Sequence, residues 1–497
     1  MKKVLVIGSG LGGLATALRL ASEGCRVTVL EKHFQAGGRL NRLQLGSFAF
    51  DLGPSFLSMS YEFKELFSSC GIDFPLELKK VDPAYQVYFA GRSRPYRIWE
   101  DLARLEAEFA DVEPGLALKV ERYLNKAGEF FHDTENRVIK TNFKGIWDYL
   151  RKLTSVPVKH LPYLLRNMWD ESGRYFNSEE IRIVFSLVAF FLGSTPFQTP
   201  AIYSLLNYTE LRHDGYWMVD GGMYRMVEVL VDILEKRGVE FFYNTEITEV
   251  LQRGGILDAV VDSTGRSWQA DIFICNADAA AFRGKVLSRP AFSDERLDRM
   301  DWSLSPFTVY LGVKGKIDGL VHHNYFLGSN FNEYANTIFK SSMSPEKPYY
   351  YVNVPSKENL SCAPTGHENL FILCPVPDLR FKKDWSDADR LADNIIADIS
   401  ERTGFDIAEN AVERKVLTPV DWEQMFNLYR GSGLGLNHGL TQIGGLRPRN
   451  KDEQFNNLYY VGASTTPGTG LPMVVIGSKL VMERIREEHG SLSGNFV

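Results

Sequence analysis

The sequence predicts an α/β protein: a parallel sheet wrapped by helices and built from separated segments, a second mixed sheet, and a helical subdomain. Three observations predict it. Residues 4–32, VLVIGSGLGGLATALRLASEGCRVTVLEK, run strand, glycines, helix, strand and acid in that order. Residues 306–415 mix short alternating strands with loops. Residues 455–489 return to a strand, a Gly-rich turn and a final helix, so the chain leaves its first domain and comes back to it.

The bulk composition sets limits. A chain of 497 residues has room for two or three domains and a large core. With 44% hydrophobic and 24% charged residues it reads as globular. A net charge of −6 argues against nucleic acid as a partner. Cys25, Cys70, Cys275, Cys362 and Cys374 are scattered and show no C-x-x-C spacing, so neither a disulfide framework nor a zinc site is expected, and a reducing compartment fits. The first strand begins so near Met1 that a signal peptide is not expected. The longest apolar run, Ile183–Gly193, falls short of the roughly 20 residues that span a bilayer.

Val4–Ile7 is a continuous apolar run, as in a parallel strand buried on both faces. Gly8, Gly10 and Gly13 follow in G-x-G-x-x-G spacing. The first glycine permits the turn, the second lets backbone approach a pyrophosphate, and the third lets helix pack on strand. The helix points its positive end at the phosphates and stops at Gly24. Residues 26–30 alternate into a second strand that ends at Glu31, a suitable acceptor for ribose hydroxyls. This unit defines a Rossmann-type dinucleotide site without separating NAD from FAD.

Three further segments favour FAD. EKHFQAGGRL carries Gly37, Gly38 and Arg39, which let backbone and a bidentate cation approach a diphosphate. FDLGPSFL places Gly53, Pro54 and Ser55 in a rigid turn, suited to the flavin end. YYVGASTTPGTGLPM ends a strand in small residues, and its helix starts near Pro472, with a positive end suited to an anionic reduced flavin. Between these segments, 216–250 reads as a Gly turn, a helix with Met226, Val229, Leu230 and Ile233 on one face, and a strand at 239–243. Residues 257–275 read as a hairpin turning at Ser263-Thr264-Gly265. RGSGLGLNHG, 430–439, lacks a preceding strand and reads as a loop, which leaves no second nucleotide unit for NAD(P)H.

On these residues the chain resembles the FAD-dependent amine oxidase and phytoene desaturase superfamily. Its pattern is met by Gly8, Gly10, Gly13, Glu31, Gly37, Gly38, Arg39, Gly53 and Pro54. STPFQTPAIYSLLNY (194–208), HHNYFLGSNF (322–331), residues 352–379 and GLRPRNKDEQFNNLYYVGASTTPGTGLP (445–472) are similar to bacterial carotenoid desaturases of the phytoene desaturase type. One departure is Thr466, where that family often carries histidine. The resemblance implies FAD held by Gly8, Gly10, Gly12, Gly13, Glu31, Lys32, Gly38, Arg39, Gly53, Pro54, Ser55, Ile247, Gly462, Ala463, Gly470, Leu471, Pro472 and Met473. It implies hydride transfer from a hydrophobic polyene to the flavin, and electron delivery to quinone or oxygen. A soluble amine oxidase, or a 3,4-desaturase, ketolase or isomerase of carotenoids, are the alternatives on the same frame. The domain plan that follows is FAD-binding at 1–75, 213–285 and 436–497, substrate-binding at 76–140 and 286–435, and a helical subdomain at 141–212.

Residues 141–169 interleave Trp147, Tyr149, Leu150, Leu153, Leu161, Tyr163, Leu164, Leu165 and Trp169 with Lys144, Arg151, Lys152, Lys159 and Arg166. That composition suits equally a helix lying in a membrane surface or a helical lid packed on the core, and the substrate class then favours a peripheral protein on the cytoplasmic side of a membrane. Adjacent His322 and His323 should point to opposite strand faces, and no spacing suggests a metal. Tyr349, Tyr350 and Tyr351 suit either a polyene tunnel or sheet packing. Glu210, Arg212 and Asp214 are the nearest acid–base candidates, but a solvated turn explains them better, so no catalytic residue is assigned.

Overall fold

Continuous apolar runs make the central sheet. In the computed structural model, which describes residues 1–490 and 492, five strands lie in the order Leu458–Tyr460, Ile272–Cys275, Lys3–Ile7, Arg26–Leu30, Glu240–Phe242. All are parallel, with Val6 opposite both Ile274 and Val29. Helices Leu11–Ser22, Arg225–Lys236 and Leu471–His489 cover the sheet, and their apolar faces merge into one core with it. In Arg225–Lys236 the fully buried positions are Met226, Val227, Leu230 and Leu234. The expected Val229 and Ile233 sit at the margin of that face, partly buried against the same core.

The expected hairpin is only half of residues 257–275. Ile256–Asp262 pairs with Ser267–Gln269, and the turn is held by Asp262 Oδ1, which accepts from the backbone N–H of Thr264 at 2.9 Å and Arg266 at 3.1 Å. The fully buried Ile272–Cys275 leaves the hairpin and joins the parallel sheet. A strand not foreseen, Ile247–Arg253, completes the hairpin sheet. Its outward face is polar, which hid it.

The second sheet has seven strands in the order Ala411–Leu417, Ser305–Lys314, His367–Val376, Tyr350–Asn353, His323–Leu327, Tyr85–Phe89, Tyr96–Ile98. One pair, His323–Leu327 with Tyr85–Phe89, is parallel and the rest are antiparallel. One face packs on the helix Ala388–Thr403. The other carries an aromatic cluster that faces the first domain.

The middle of the chain is not one long amphipathic helix. It forms short pieces, Ile146–Leu153, Val158–His160, Leu161–Leu165, Met168–Ser172, Glu179–Val184 and Val188–Phe191. Pro157 and Pro162 interrupt the helical run by removing backbone donors. Among the described residues no helix is long and apolar enough to cross a membrane. All five cysteines are free and buried.

Candidate functional site

One cavity of about 1160 Å³ runs from the carboxyl ends of the parallel strands, past the aromatic face of the second sheet, to the short helices. Its first end is built by residues that directly follow strands: Gly8 after Ile7, Glu31 after Leu30, Asn276 after Cys275 and Val461 after Tyr460. This is the crevice where open parallel sheets bind nucleotides.

Gly8 has φ +92°, and a Cβ on Gly13 would overlap the Gly8 carbonyl, so helix and strand meet only without side chains there. Gly13 is therefore a packing glycine behind the cavity, while Gly8, Gly10 and Gly12 form its wall. Glu31 is buried and already oriented. Its Oε2 accepts from the Ser9 N–H at 2.8 Å and Ser9 Oγ at 2.6 Å, and its Oε1 accepts from the His33 N–H at 2.9 Å. The carboxylate retains acceptor capacity for two vicinal hydroxyls. Lys32 and Ile247 line the same end.

Asn276 escaped the sequence reading because it carries no motif. Its Nδ2 donates to the Val461 carbonyl at 2.8 Å, while its Oδ1 stands buried without a partner beside Gly10 and Gly13. Arg39 donates from Nη1 to the Gly433 carbonyl at 2.6 Å, and Asp278 supplies the nearby opposite charge. Burial pulls the Arg39 guanidinium down and pushes the Asp278 carboxyl up, so each holds the other's charge in the wall. Asp278 also caps a short helix by accepting from the N–H groups of Ala280 and Ala281.

Beyond Arg39 the wall passes to Gly53, Pro54 and Ser55 and, opposite in sequence, to Gly462, Ala463, Gly470, Leu471, Pro472 and Met473. Gly470 has φ +112° and precedes the helix Leu471–His489. No side chain caps that helix, so its first N–H groups open onto the cavity with the positive end of the dipole. Behind Ala463 lies Arg447, 2% exposed. Its guanidinium donates to the carbonyls of Leu436, Asn437, Gln442, Ala463 and Thr465, and burial draws its pKa down to about 10. It is a buried cation whose hydrogen bonds all go to backbone carbonyls.

The loop 430–439 is a loop, as expected, yet it contributes Gly433, Leu434 and His438 to the wall. His438 Nε2 accepts from the Thr469 N–H at 3.3 Å, and its ring presses against Gly468. Thr466 thus leaves the Gly-rich turn without its own histidine, while an imidazole reaches that turn from elsewhere. Burial and Arg447 hold this imidazole neutral, its pKa well below the usual value.

The remaining lining is apolar and aromatic. Ser55 Oγ and His323 Nδ1 both contact Tyr351 Oη, at 2.9 and 2.6 Å, and Phe56 stacks on His323 at 3.9 Å between centroids. Tyr349 and Tyr351 share a strand face on the cavity side, while Tyr350 stacks on Phe326 and bonds Asp398. His322 and His323 do not diverge. Their rings meet at 4.3 Å, because His322 precedes the strand, and both approach Asn353 Nδ2. Among the described residues no cluster could hold a metal ion.

The acidic candidates separate. Arg212 is exposed beside Asn125, and Asp214 accepts from Ser60, so both are structural. Glu210 is not in a solvated turn. It lines the cavity, 7% exposed, and burial pushes its carboxyl up to about 8 against the stabilising contact of Tyr216.

A glycine-walled cradle for a diphosphate, an oriented ribose acceptor and an adjoining apolar chamber define a flavin-dependent oxidoreductase. The chain belongs to the flavin containing amine oxidoreductase family, whose model matches residues 11–484, and within it to the carotenoid desaturases of the phytoene desaturase type. It is 36% identical to a zeta-carotene-forming phytoene desaturase of Myxococcus xanthus, over 97% of this chain and 94% of that one. It is 31% identical to a carotenoid 3,4-desaturase of Haloarcula japonica, covering 98% of each. It is 30% identical to a 4,4'-diapolycopene oxygenase of Methylomonas, over 97% and 98%. The fold matches cyclohexylamine oxidase from Brevibacterium oxydans with TM-score 0.61 at 16% identity, covering 98% and 99%. It matches a putrescine oxidase with TM-score 0.63 at 13% identity, again covering 98% and 99%. FAD is the cofactor of this protein, and the glycine wall at Gly8, Gly10 and Gly12, the oriented Glu31 and the uncapped helix suit its diphosphate, ribose and ring in turn.

Proposed function

We propose that the protein desaturates a linear carotenoid precursor. The observation that carries this reading is the cavity itself, which joins the cofactor cradle to a long chamber walled by Phe, Tyr and Leu. Curated relatives named phytoene desaturase align over nearly the full chain. When bound, FAD would supply the acceptor for the hydride lost from one carbon, while a proton leaves the neighbouring carbon. The chain's residues do the rest by position. Ser55, Gly470 and Pro472 bring backbone close to where the ring would lie, and the aromatic walls align an extended chain and keep water out. The helix start at Leu471 and the Arg447 guanidinium favour negative charge at that end. Quinone or oxygen would take the electrons onward. Co-expression with enzymes that supply phytoene or diapophytoene tests the reading. A new, more conjugated pigment is expected, and unchanged precursor from a flavin-loaded protein would contradict it.

We further infer that the chamber opens onto a membrane, with the protein peripheral on the cytoplasmic side. Trp147, Val158 and Leu165 are 81%, 80% and 75% exposed, and Val158 also lines the cavity. These apolar groups support docking better than charge does. Lys144 pairs with Glu487, Arg151 and Lys152 with Asp148, and Lys159 with Glu129 and Asp133. The protein should therefore float with neutral phosphatidylcholine vesicles. Trp147→Asp with Leu165→Asp should keep it in the supernatant, and a wild type that never floats would refute the docking.

A further inference from the structure

Desaturation removes two hydrogens from neighbouring carbons, one as hydride and one as a proton. The hydride has an acceptor in the cofactor. The proton is released into a chamber walled by apolar side chains, where a free charge is costly. Glu210 is a poor acceptor for it, because burial pushes that carboxyl up to about 8 and it still carries its own proton at neutral pH.

A different route begins at Ser55, in the wall beside the cofactor cradle. Its Oγ lies 2.9 Å from Tyr351 Oη, which lies 2.6 Å from His323 Nδ1. His323 is fully buried, and its Nε2 has no partner beside the stacked Phe56 ring. A bare lone pair costs less there than a bare N–H, so the ring proton belongs on Nδ1 and is donated to Tyr351. Tyr351 then donates to Ser55, and Ser55 donates onward. Ser55 also lines a second, small cavity of about 10 Å³, with Asp51, His322, Asn353 and Asn359. That space suits about one water. Asp51 is partly open to solvent and accepts from the N–H groups of Met223 at 3.1 Å and Tyr224 at 3.2 Å. Burial pushes its carboxyl up to about 6, so it can take and release a proton near neutral pH. Arg42, bound to Glu228, is its partner across a strand pair. Burial holds His322 at about 4, pushes the Cys362 thiol up to about 11 and raises the phenols of Tyr224 and Tyr351, so these neighbours do not titrate with it.

We propose, on the desaturase reading above, that Tyr351, Ser55 and Asp51 form a relay that carries the substrate's proton out of the chamber, with His323 as the positioning residue that sets its direction. As the second C–H bond breaks, its electron pair enters the new double bond and its proton passes to Tyr351 Oη. The phenol proton moves to Ser55 Oγ, the serine proton to a water in the small cavity, and a water proton to the Asp51 carboxylate. Asp51 releases it to solvent, and every relay group ends as it began.

The test follows flavin bleaching after anaerobic rapid mixing of the FAD-loaded protein with phytoene in micelles, from about pH 5 to about pH 8. The limiting rate should rise as Asp51 ionises near pH 6 and level off above it. Tyr351→Phe and Asp51→Asn should each lower the plateau about 100-fold with phytoene affinity unchanged. Asp51→Asn should also flatten the pH profile. The double variant should lose no more than either single one, because both act on one path. His323→Leu should lower the plateau about tenfold, and His323→Gln, which keeps an N–H donor, should recover most of that loss. Bleaching by dithionite reports an intact flavin site in each variant, and either single variant decides the question if the other loses its flavin. Single variants that match the wild type, or losses that multiply in the double variant, would overturn the relay and leave the desaturase reading standing. A wild-type flavin that phytoene does not bleach would overturn both.

Discussion

The two ends of the cavity are built on opposite plans. At the nucleotide end, contacts come from backbone and from residues close in sequence: Gly8, Gly10, Gly12 and Glu31 lie within one strand–helix–strand unit. At the chamber end, Phe56, Glu210, Tyr216, Tyr325 and Tyr351 come from separate parts of the chain and meet only after the second sheet has formed. The first plan tolerates almost no side chain at its glycines, because atoms would crowd the neighbouring backbone and Asn276. The second is a wall of side chains whose chemistry can be altered without disturbing the sheet. A family that keeps one cofactor and changes its substrate needs this division.

The comparison breaks first, and most severely, at the glycines. Gly13→Val should abolish FAD retention, because a side chain there meets the Gly8 carbonyl and separates helix from strand. Flavin absorbance after gel filtration checks this, and a variant that keeps stoichiometric FAD would show that the close packing is dispensable. Glu31→Ala should leave the fold in place but weaken FAD by about 1–3 kcal/mol, since it removes the ribose acceptor and frees the Ser9 hydroxyl. Isothermal titration of the apoprotein with FAD measures the difference, and an unchanged Kd would remove Glu31 from the site.

At the chamber end the expected effect is smaller and depends on pH. The Glu210 carboxyl is pushed up to about 8, so the folded state holds its proton over a range where the unfolded chain has lost it. The native state then binds more protons than the unfolded state, and stability falls as pH rises from about 4.5 to about 8. Glu210→Gln removes this loss. Its stability relative to wild type should rise across that window by on the order of 2 kcal/mol and level off above it. Thermal midpoints of both proteins at pH 5 and pH 8.5 read the change, and parallel pH profiles would place the carboxyl in water.

The same division explains what the sequence disclosed. The first strand, its glycines and Glu31 were legible because their geometry is local and their spacing is dictated by sterics. Gly53–Ser55 and the helix at Leu471 were legible for the same reason. Asn276 was not, because its place beside Gly10 depends on parallel pairing of Ile272–Cys275 with Lys3–Ile7, which lie far apart in sequence. The buried state of Glu210 was hidden too. Its neighbours Arg212 and Asp214 are polar, and only the fold shows that Glu210 turns inward while Arg212 turns out. His438 was passed over within a loop whose glycines matched no motif. Proline positions within 141–169 argued for several short helices, and composition alone obscured them.

The central claim is that electrons reach the flavin from a polyene. Anaerobic addition of phytoene, in micelles and without NADH, to the FAD-loaded protein tests it most directly. The account predicts bleaching of the oxidised flavin band together with new absorbance from a longer conjugated chain. A flavin that stays oxidised with phytoene and diapophytoene, yet bleaches with a polar amine or only when NAD(P)H is added, would contradict it.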